Sequence, residues 1–468
     1  AAQDMVSELD ELLQDSRLLG MLPLSVTIID AESGSVLAAH NDTRPMIPAS
    51  NMKLLTSGVA LDVFGPEFTF ETMLTIAPDR GSIAIVGSGD PAFGDPELLR
   101  EMDMGVEEFI DVWVQALANE DLPSAIEVVV DDRIFDREFV HPTWPEGQLN
   151  RRYCAEVAGL NFHTNVVSIY ARPNAPGSVP TITVEPKAPW LEISNRAVSV
   201  GKGKQHTAWA ARAYQTNAIS LRGDVRYATS PVQVTLHDMP DFFAHLIADR
   251  LERDRDRTVS HRPADLDEDF EGFRTLHAVR TPLATVLERC NVDSSNLYAE
   301  SLLKRLGHEI TGAPGSWNNG AAVVRMKLVE RLDAAAGSEI IVADGSGMSR
   351  QNRVTTGIMA QWLRSMLNDD RIGEVFFESL PVAGNEGTLQ KRFRGKRLGN
   401  HVRAKTGYLS GVSALSGIVR HPETGRAVIF SIISNEKPNN VPLSKVRTLE
   451  EKIVLAIDGW LSDEVARR

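Results

Sequence analysis

Apolar residues recur along this chain with two periods, and the switches between them mark its elements. Over residues 4 to 18 they fall at Met5, Leu9, Leu12 and Leu13, the one-face spacing of an amphipathic helix. Leu24 to Asp30 and Ser35 to His40 read as strands joined by a Glu32-Ser33-Gly34 turn. The helical period returns at Met52, Leu55, Val59 and Val63, and Gly65-Pro66 stops it. Phe68 to Ile76 and Ser82 to Val86 predict short strands, Val106 to Ala118 a helix, and Ile126 to Val130 a strand apolar on both faces. From about Val166 to Thr235, strand follows strand with turn residues between, the texture of a small all-β insert. Asp241 to Arg253 is again helical and runs into the charge-rich stretch Asp249 to Asp269, which reads as a solvated face or linker.

After about Leu276 the chain again looks like its start. Helices are predicted over Leu283 to Arg289 and Asn296 to Leu306, and a strand over Glu339 to Val342. Further strands follow at Val402 to Gly407, Ala414 to His421 and Ala427 to Ser434, before a closing helix. Short connections favour neighbours in space, so the late strands are expected to pair with the early ones in one antiparallel sheet. The expected organisation is a domain from residues 1–66 and 276–468, split by a mixed α/β domain from 67–164 and 236–275. That second domain would itself carry a β-rich insert at 165–235.

At 468 residues and 43% hydrophobic, the chain is long enough for more than one core. A net charge of −14 argues against a nucleic-acid partner, and no apolar stretch is long enough for a transmembrane segment. The opening Ala-Ala-Gln lacks a basic segment followed by an apolar one, as is left when a secretory signal has been removed, so export is expected. Cys154 and Cys290, the two cysteines, leave both a bridge and free buried thiols open.

The candidate chemistry begins at Ser50-Asn51-Met52-Lys53. Residues three apart on a helix share a face, so an amine could take the proton of a serine hydroxyl there. Ser199-Val200-Gly201-Lys202, Ser301-Leu302-Leu303-Lys304 and Ser434-Asn435-Glu436-Lys437 match the same pattern, which commonly marks solvated surface. Ser50 differs by following two strands and opening a helix, where free backbone N–H groups could hold an oxyanion. Gly87-Ser88-Gly89-Asp90-Pro91 lacks both the lysine of a P-loop and dinucleotide-fold spacing, and reads as a tight loop. Ser294-Ser295-Asn296 begins a helix, where such residues also serve as caps; Ser316-Trp317-Asn318 repeats its pattern. Lys405-Thr406-Gly407 ends a strand, where Gly407 would let another backbone approach. There is no G-x-S-x-G elbow and no His or Cys cluster suited to zinc, so neither metal nor cofactor is expected.

Taken in order, Ser50-x-x-Lys53, Ser294-Ser295-Asn296 and Lys405-Thr406-Gly407 resemble the motif trio of the penicillin-binding protein and serine β-lactamase superfamily. With the long gap after the first motif, the Gly87 run, Asp344 to Arg350, and Leu380 to Leu389, the chain resembles the class C, type-4 low-molecular-mass penicillin-binding proteins. That resemblance implies a multidomain α+β fold, with a β-lactamase-like catalytic domain whose antiparallel sheet lies between helices. It implies a D-alanyl-D-alanine carboxypeptidase and endopeptidase acting on peptidoglycan stem peptides in the cell envelope, acylated and inhibited by β-lactam antibiotics. Ser50 would be the nucleophile and Lys53 its base, the amine lowered by burial and by the Lys405 charge. Ser294 would relay the proton to the leaving amine, while Asn296 holds the substrate amide and Lys53. Lys405 and Thr406 would bind the terminal carboxylate, and the N–H groups of Ser50 and Tyr408 would form the oxyanion hole. Gly407, Leu409, Arg350 and Tyr153 would line the substrate pocket. A homo-oligomer is compatible with this reading. The alternatives are a β-lactamase, disfavoured by the large insert, and a catalytically silent peptidoglycan-binding scaffold, disfavoured by the complete motif set.

Overall fold

The computed structural model describes residues 2–16, 18, 23–228, 230–253, 257–399, 401–435 and 441–466. Two compact units emerge: Ala1–Phe68, Leu283–Gly312 and Trp317–Arg468 form the first, Thr69–Pro282 and Ala313–Ser316 the second.

The first unit is built on helix α1 (Ala2–Asp15), strands β1 (Leu24–Asp30) and β2 (Val36–His40), and helices α2 (Met52–Phe64), α3 (Asn296–Thr311) and α4 (Thr356–Leu367). Strands β3 (His401–Leu409), β4 (Val412–Arg420) and β5 (Ala427–Asn435) and helix α5 (Leu443–Ala466) complete it. Its five-stranded sheet runs β3-β4-β5-β1-β2, every neighbour antiparallel, so late strands do join early ones. Leu24 pairs with Ser434 and Asp30 with Val428. Successive side chains alternate between the faces of a strand, and both faces here are covered. Val26, Ile28, Phe430 and Ile432 pack with Met5, Leu9 and Leu13 of α1 and Leu449, Ile453 and Ile457 of α5. The opposite face carries buried hydroxyls. Ser25 and Thr27 meet Thr356 Oγ1 at 2.7 and 2.8 Å, and Ser416 meets Ser431 at 2.8 Å. Each is therefore partnered, as burial of polar groups demands.

The second unit has a five-stranded mixed sheet ordered Thr258–Pro263, Ala125–Asp131, Ser82–Val86, Thr69–Ile76 and Arg274–Pro282. Its core includes Ile85, Val128, Phe93, Trp113, Phe162 and Phe243, and smaller sheets fall between 166 and 235. The glycine run is a tight loop. A Cβ on Gly89, at φ +76°, would lie 2.3 Å from the Phe135 ring, and one on Gly87 2.4 Å from the Gly159 carbonyl. Asp90 is buried beside it, accepting from Thr281 Oγ1 at 2.6 Å and Ala92 N–H at 2.9 Å, with burial raising its carboxyl to about 6.

Three expectations need correction. The charge-rich stretch supplies an edge strand, Thr258–Pro263, parallel to Ala125–Asp131, because Arg262 pairs its charge with Glu127 and Glu268. Residues 254–256 of that stretch lie outside the described residues. Glu339 to Val342 is not a strand: Ala334–Glu339 is a short helix capped by Asp333, and only Ile341 bridges, to Arg353. Ser301 and Lys304 are fully buried on α3, with the Lys304 ammonium 3.9 Å from the Trp317 ring centroid, so that match to Ser-x-x-Lys is a cation–π contact and no solvated surface. Glu436 and Lys437 of another match lie outside the described residues.

Candidate active site

Ser50 sits just before the α-helix, on a 3-10 turn Ala49–Asn51 that leads into α2 at Met52. The turn is tightly held. Ala49 has φ +47°, a left-handed conformation rare outside glycine. A Cβ on Gly347 would stand 1.8 Å from the Ala49 carbonyl, and one on Gly407 2.7 Å from the Pro48 carbonyl. These glycines let a loop and a strand close on the backbone next to Ser50. The Asn51 amide, turned to satisfy both its ends, donates to the Lys405 carbonyl at 2.9 Å and accepts from Ser416 Oγ at 2.6 Å. It fastens the turn to β3 and β4.

Lys53 is fully buried, and its Nζ meets Asn296 Oδ1 at 2.7 Å, the Ser346 carbonyl at 2.9 Å and Ser50 Oγ at 3.2 Å. A neutral amine has two hydrogens and one lone pair. The amide oxygen and the carbonyl can only accept, so they take the two hydrogens and leave the lone pair for the Ser50 hydroxyl proton. Burial lowers the Lys53 amine to about 8, against opposing pulls from Cys290, Glu300 and Asp344. The Lys405 charge is not among the causes. Lys405 is itself held well below the usual lysine range, by burial first and then by Lys53.

Ser294 precedes α3 with φ +59°, and it does not cap the helix: its Oγ accepts from Lys405 Nζ at 2.9 Å. Strain at this position and at Ala49 accompanies the polar cluster. Ala404 N–H on β3 bonds to the Pro381 carbonyl, and the Val402 carbonyl accepts from Ala383 N–H. By the two-residue alternation, Thr406 and Tyr408 turn their backbone groups to the same outer edge, away from β4.

The structure thus brings Ser50, Lys53, Ser294, Asn296 and Lys405 into hydrogen-bonded contacts within the first unit. Tyr408 is 56% exposed, with the Arg447 guanidinium 5.5 Å from its ring centroid, and Leu409 ends β3. Arg350 donates to the Ser410 carbonyl and has no carboxylate partner among the described residues, so it clamps the turn after β3. Tyr153 belongs to the second unit, its hydroxyl 3.3 Å from Gln148 Oε1. Among the described residues no group of His, Cys, Asp or Glu is arranged to hold a metal. Cys154 and Cys290 are buried and not bridged to each other, and burial pushes their thiols up to about 12 and about 11.

Of the carboxylates beneath the site, the sequence marked Asp344 only as the start of a motif and Glu300 not at all. Glu300 lies one turn after Asn296, accepting from Ser346 N–H at 2.8 Å, Gly345 N–H at 2.9 Å and Trp317 Nε1 at 2.8 Å. Burial, then the Asp344 charge, raises its carboxyl to about 7. Asp344 accepts from Gly347 N–H at 2.9 Å and Ser349 N–H at 2.6 Å. Together they fix the loop that aims the Ser346 carbonyl at Lys53. The i, i+4 spacing of Asn296 and Glu300 was the available signal. Gly347→Ala is expected to destabilise the fold by more than about 4 kcal/mol, since both φ and the Ala49 carbonyl reject a Cβ; thermal unfolding measures it.

An antiparallel sheet flanked by helices, with a Ser-x-x-Lys turn facing a helix start and a Lys-Thr-Gly edge strand, is the penicillin-binding and β-lactamase-like architecture. The protein's fold matches penicillin binding protein 4 from Haemophilus influenzae with TM-score 0.75 at 21% identity, over 96% of this chain and 99% of that one. A D-alanyl-D-alanine carboxypeptidase from an Actinomadura species is 31% identical over 471 residues, covering 94% of this chain and 82% of that protein. The D-alanyl-D-alanine carboxypeptidase DacB of Haemophilus influenzae is 24% identical over 434 residues, covering 91% and 87%. The chain belongs to the D-Ala-D-Ala carboxypeptidase 3 (S13) family, whose model matches residues 5–454.

Proposed function

We propose that this protein is a serine D-alanyl-D-alanine carboxypeptidase, with endopeptidase action, on peptidoglycan stem peptides in the cell envelope. The observation that carries the reading is the Lys53 amine, buried between two obligate acceptors and the Ser50 hydroxyl. Ser50 Oγ attacks the carbonyl carbon between the two D-alanines while Lys53 Nζ takes its proton. The oxyanion rests on the N–H groups of Ser50 and Tyr408, each such donor worth about 3–4 kcal/mol. Lys53 gives that proton up through the Ser294 hydroxyl, which hands its own proton to the leaving D-alanine nitrogen and is reprotonated from Lys53; the C–N bond breaks, and an ester to Ser50 and a neutral Lys53 remain. Water, deprotonated in turn by Lys53, hydrolyses that ester and restores the serine. Lys405 and Thr406 hold the terminal carboxylate, Asn296 the substrate amide, and Arg350 and Leu409 line the pocket for the stem side chain.

β-Lactams present a similar carbonyl and carboxylate and acylate the same oxygen. The test is release of D-alanine from an acyl-D-alanyl-D-alanine tripeptide, alongside intact mass after benzylpenicillin. One drug mass and measurable D-alanine are expected. A base must be neutral to act, so acylation should rise with pH through a limb near 8. Absence of both adduct and D-alanine would favour a silent binding scaffold.

A further inference from the structure

We propose that a cavity on the second unit, between the segment carrying Trp144 and Asn150 and the turn carrying Tyr214, binds a neutral, N-acetylated glycan. It encloses about 370 Å³ and is lined wholly by residues of that unit. That volume falls in the range of small-molecule sites, about 300–1,000 Å³.

Its charges argue for a neutral ligand. Arg212 lines the cavity but is already committed: Nη2 donates to Glu156 Oε1 at 2.6 Å, Nε to Thr235 Oγ1 at 3.3 Å and Nη1 to the Thr216 carbonyl at 3.3 Å. A paired guanidinium has little attraction left for a phosphate or carboxylate. Glu146, the carboxylate in the lining, has no side-chain partner among the described residues and repels anions. A stem peptide, with its terminal carboxylate, is therefore a poor match.

The remaining groups suit a sugar. A pyranose ring has apolar C–H faces and an edge of groups that both donate and accept. Trp144 and Leu149 give apolar wall, and Tyr214 keeps 63% of its surface exposed, with a hydroxyl unclaimed among the described residues. Large aromatic side chains offer contact area at low entropic cost together with a polar tip. Asn150 Oδ1 accepts from Arg212 N–H at 2.8 Å, leaving both amide hydrogens unclaimed among the described residues. They can donate to an acetamido carbonyl, while the Glu146 carboxylate accepts from hydroxyls. The choice of a glycan over other neutral polar ligands rests on the cell-wall reading above, since such an enzyme works on a polymer whose sugars adjoin its peptides.

The test uses the full chain as wild type, Tyr214→Ala and Asn150→Asp, the last keeping the acceptor for Arg212 and removing the donors. Each is titrated calorimetrically with peptide-free β-1,4-linked N-acetylglucosamine oligomer, and separately with a sugar-free stem peptide. Saturable sugar binding by the wild type, weakened at least tenfold in both variants at unchanged thermal midpoint, is the expected result. No sugar binding, sugar binding equal in all three proteins, or stem-peptide binding lost in the Tyr214 variant would each overturn the proposal. D-alanine release from a free tripeptide, measured on the same samples, should be equal in all three. Its absence in every sample, with sugar binding intact, would sink the catalytic reading and leave this site standing.

Discussion

Ser50→Ala is expected to gain no mass from benzylpenicillin and to lose D-alanine release by roughly 10⁶-fold, the scale on which a serine hydrolase loses its nucleophile. The hydroxyl is one of three partners of Lys53, so its removal leaves Asn296 Oδ1 and the Ser346 carbonyl to hold the amine. The turn is kept by Asn51 and by the close approach of Gly347 and Gly407, none of which involves the Ser50 side chain. A near-native melting temperature should therefore accompany the lost activity. An adduct that persists in the variant would move the nucleophile to another serine, and Ser294, which accepts from Lys405, would be the first to examine.

Lys53→Met should slow acylation by about 10²–10⁴-fold, the usual contribution of a positioned general base. The pH profile separates this from simple damage. In the wild type the limb near 8 reports the amine losing its proton; in the variant that limb should vanish while the residual rate stays flat across it. Stability is pulled both ways. Holding an ammonium whose pKa has dropped from 10.5 to about 8 costs roughly 3 kcal/mol below that pH, which methionine removes. Against this, the buried Ser346 carbonyl and the half-buried Asn296 Oδ1 lose their donor, at up to about 1–3 kcal/mol each. Little net change in melting temperature is the expected outcome, and a limb retained near pH 8 would assign the base to another group.

What the sequence reveals follows from where chemistry fixes a side chain. Ser50, Lys53, Ser294, Asn296 and Lys405 meet through their side-chain atoms, so their types and order are legible in a bare chain. Ser346 acts through its carbonyl, and any residue type has one. Ala49 matters for its φ, which no residue name announces. Glu300 reads as one more charged position on a helix until the 344–349 loop closes over it. The sheet was legible because its strands are short, apolar and closely connected. The edge strand at Thr258–Pro263 was not, because the strand it pairs with and one carboxylate that meets its Arg262, Glu127, lie far off in sequence.

One feature of the sheet bears on how the molecule is made. Leu24 pairs with Ser434 across nearly the whole chain, and Asn51 is fastened to β3 and β4. Long-range pairing of this kind slows folding, although a long looped-out segment such as Thr69–Pro282 adds little to the closure entropy. A growing chain carries Ser50 well before Lys405 and the strand that completes the sheet have been made. Nascent molecules are therefore expected to be inert toward penicillin, and the moment at which a refolding population first captures the drug should time the joining of its early and late strands.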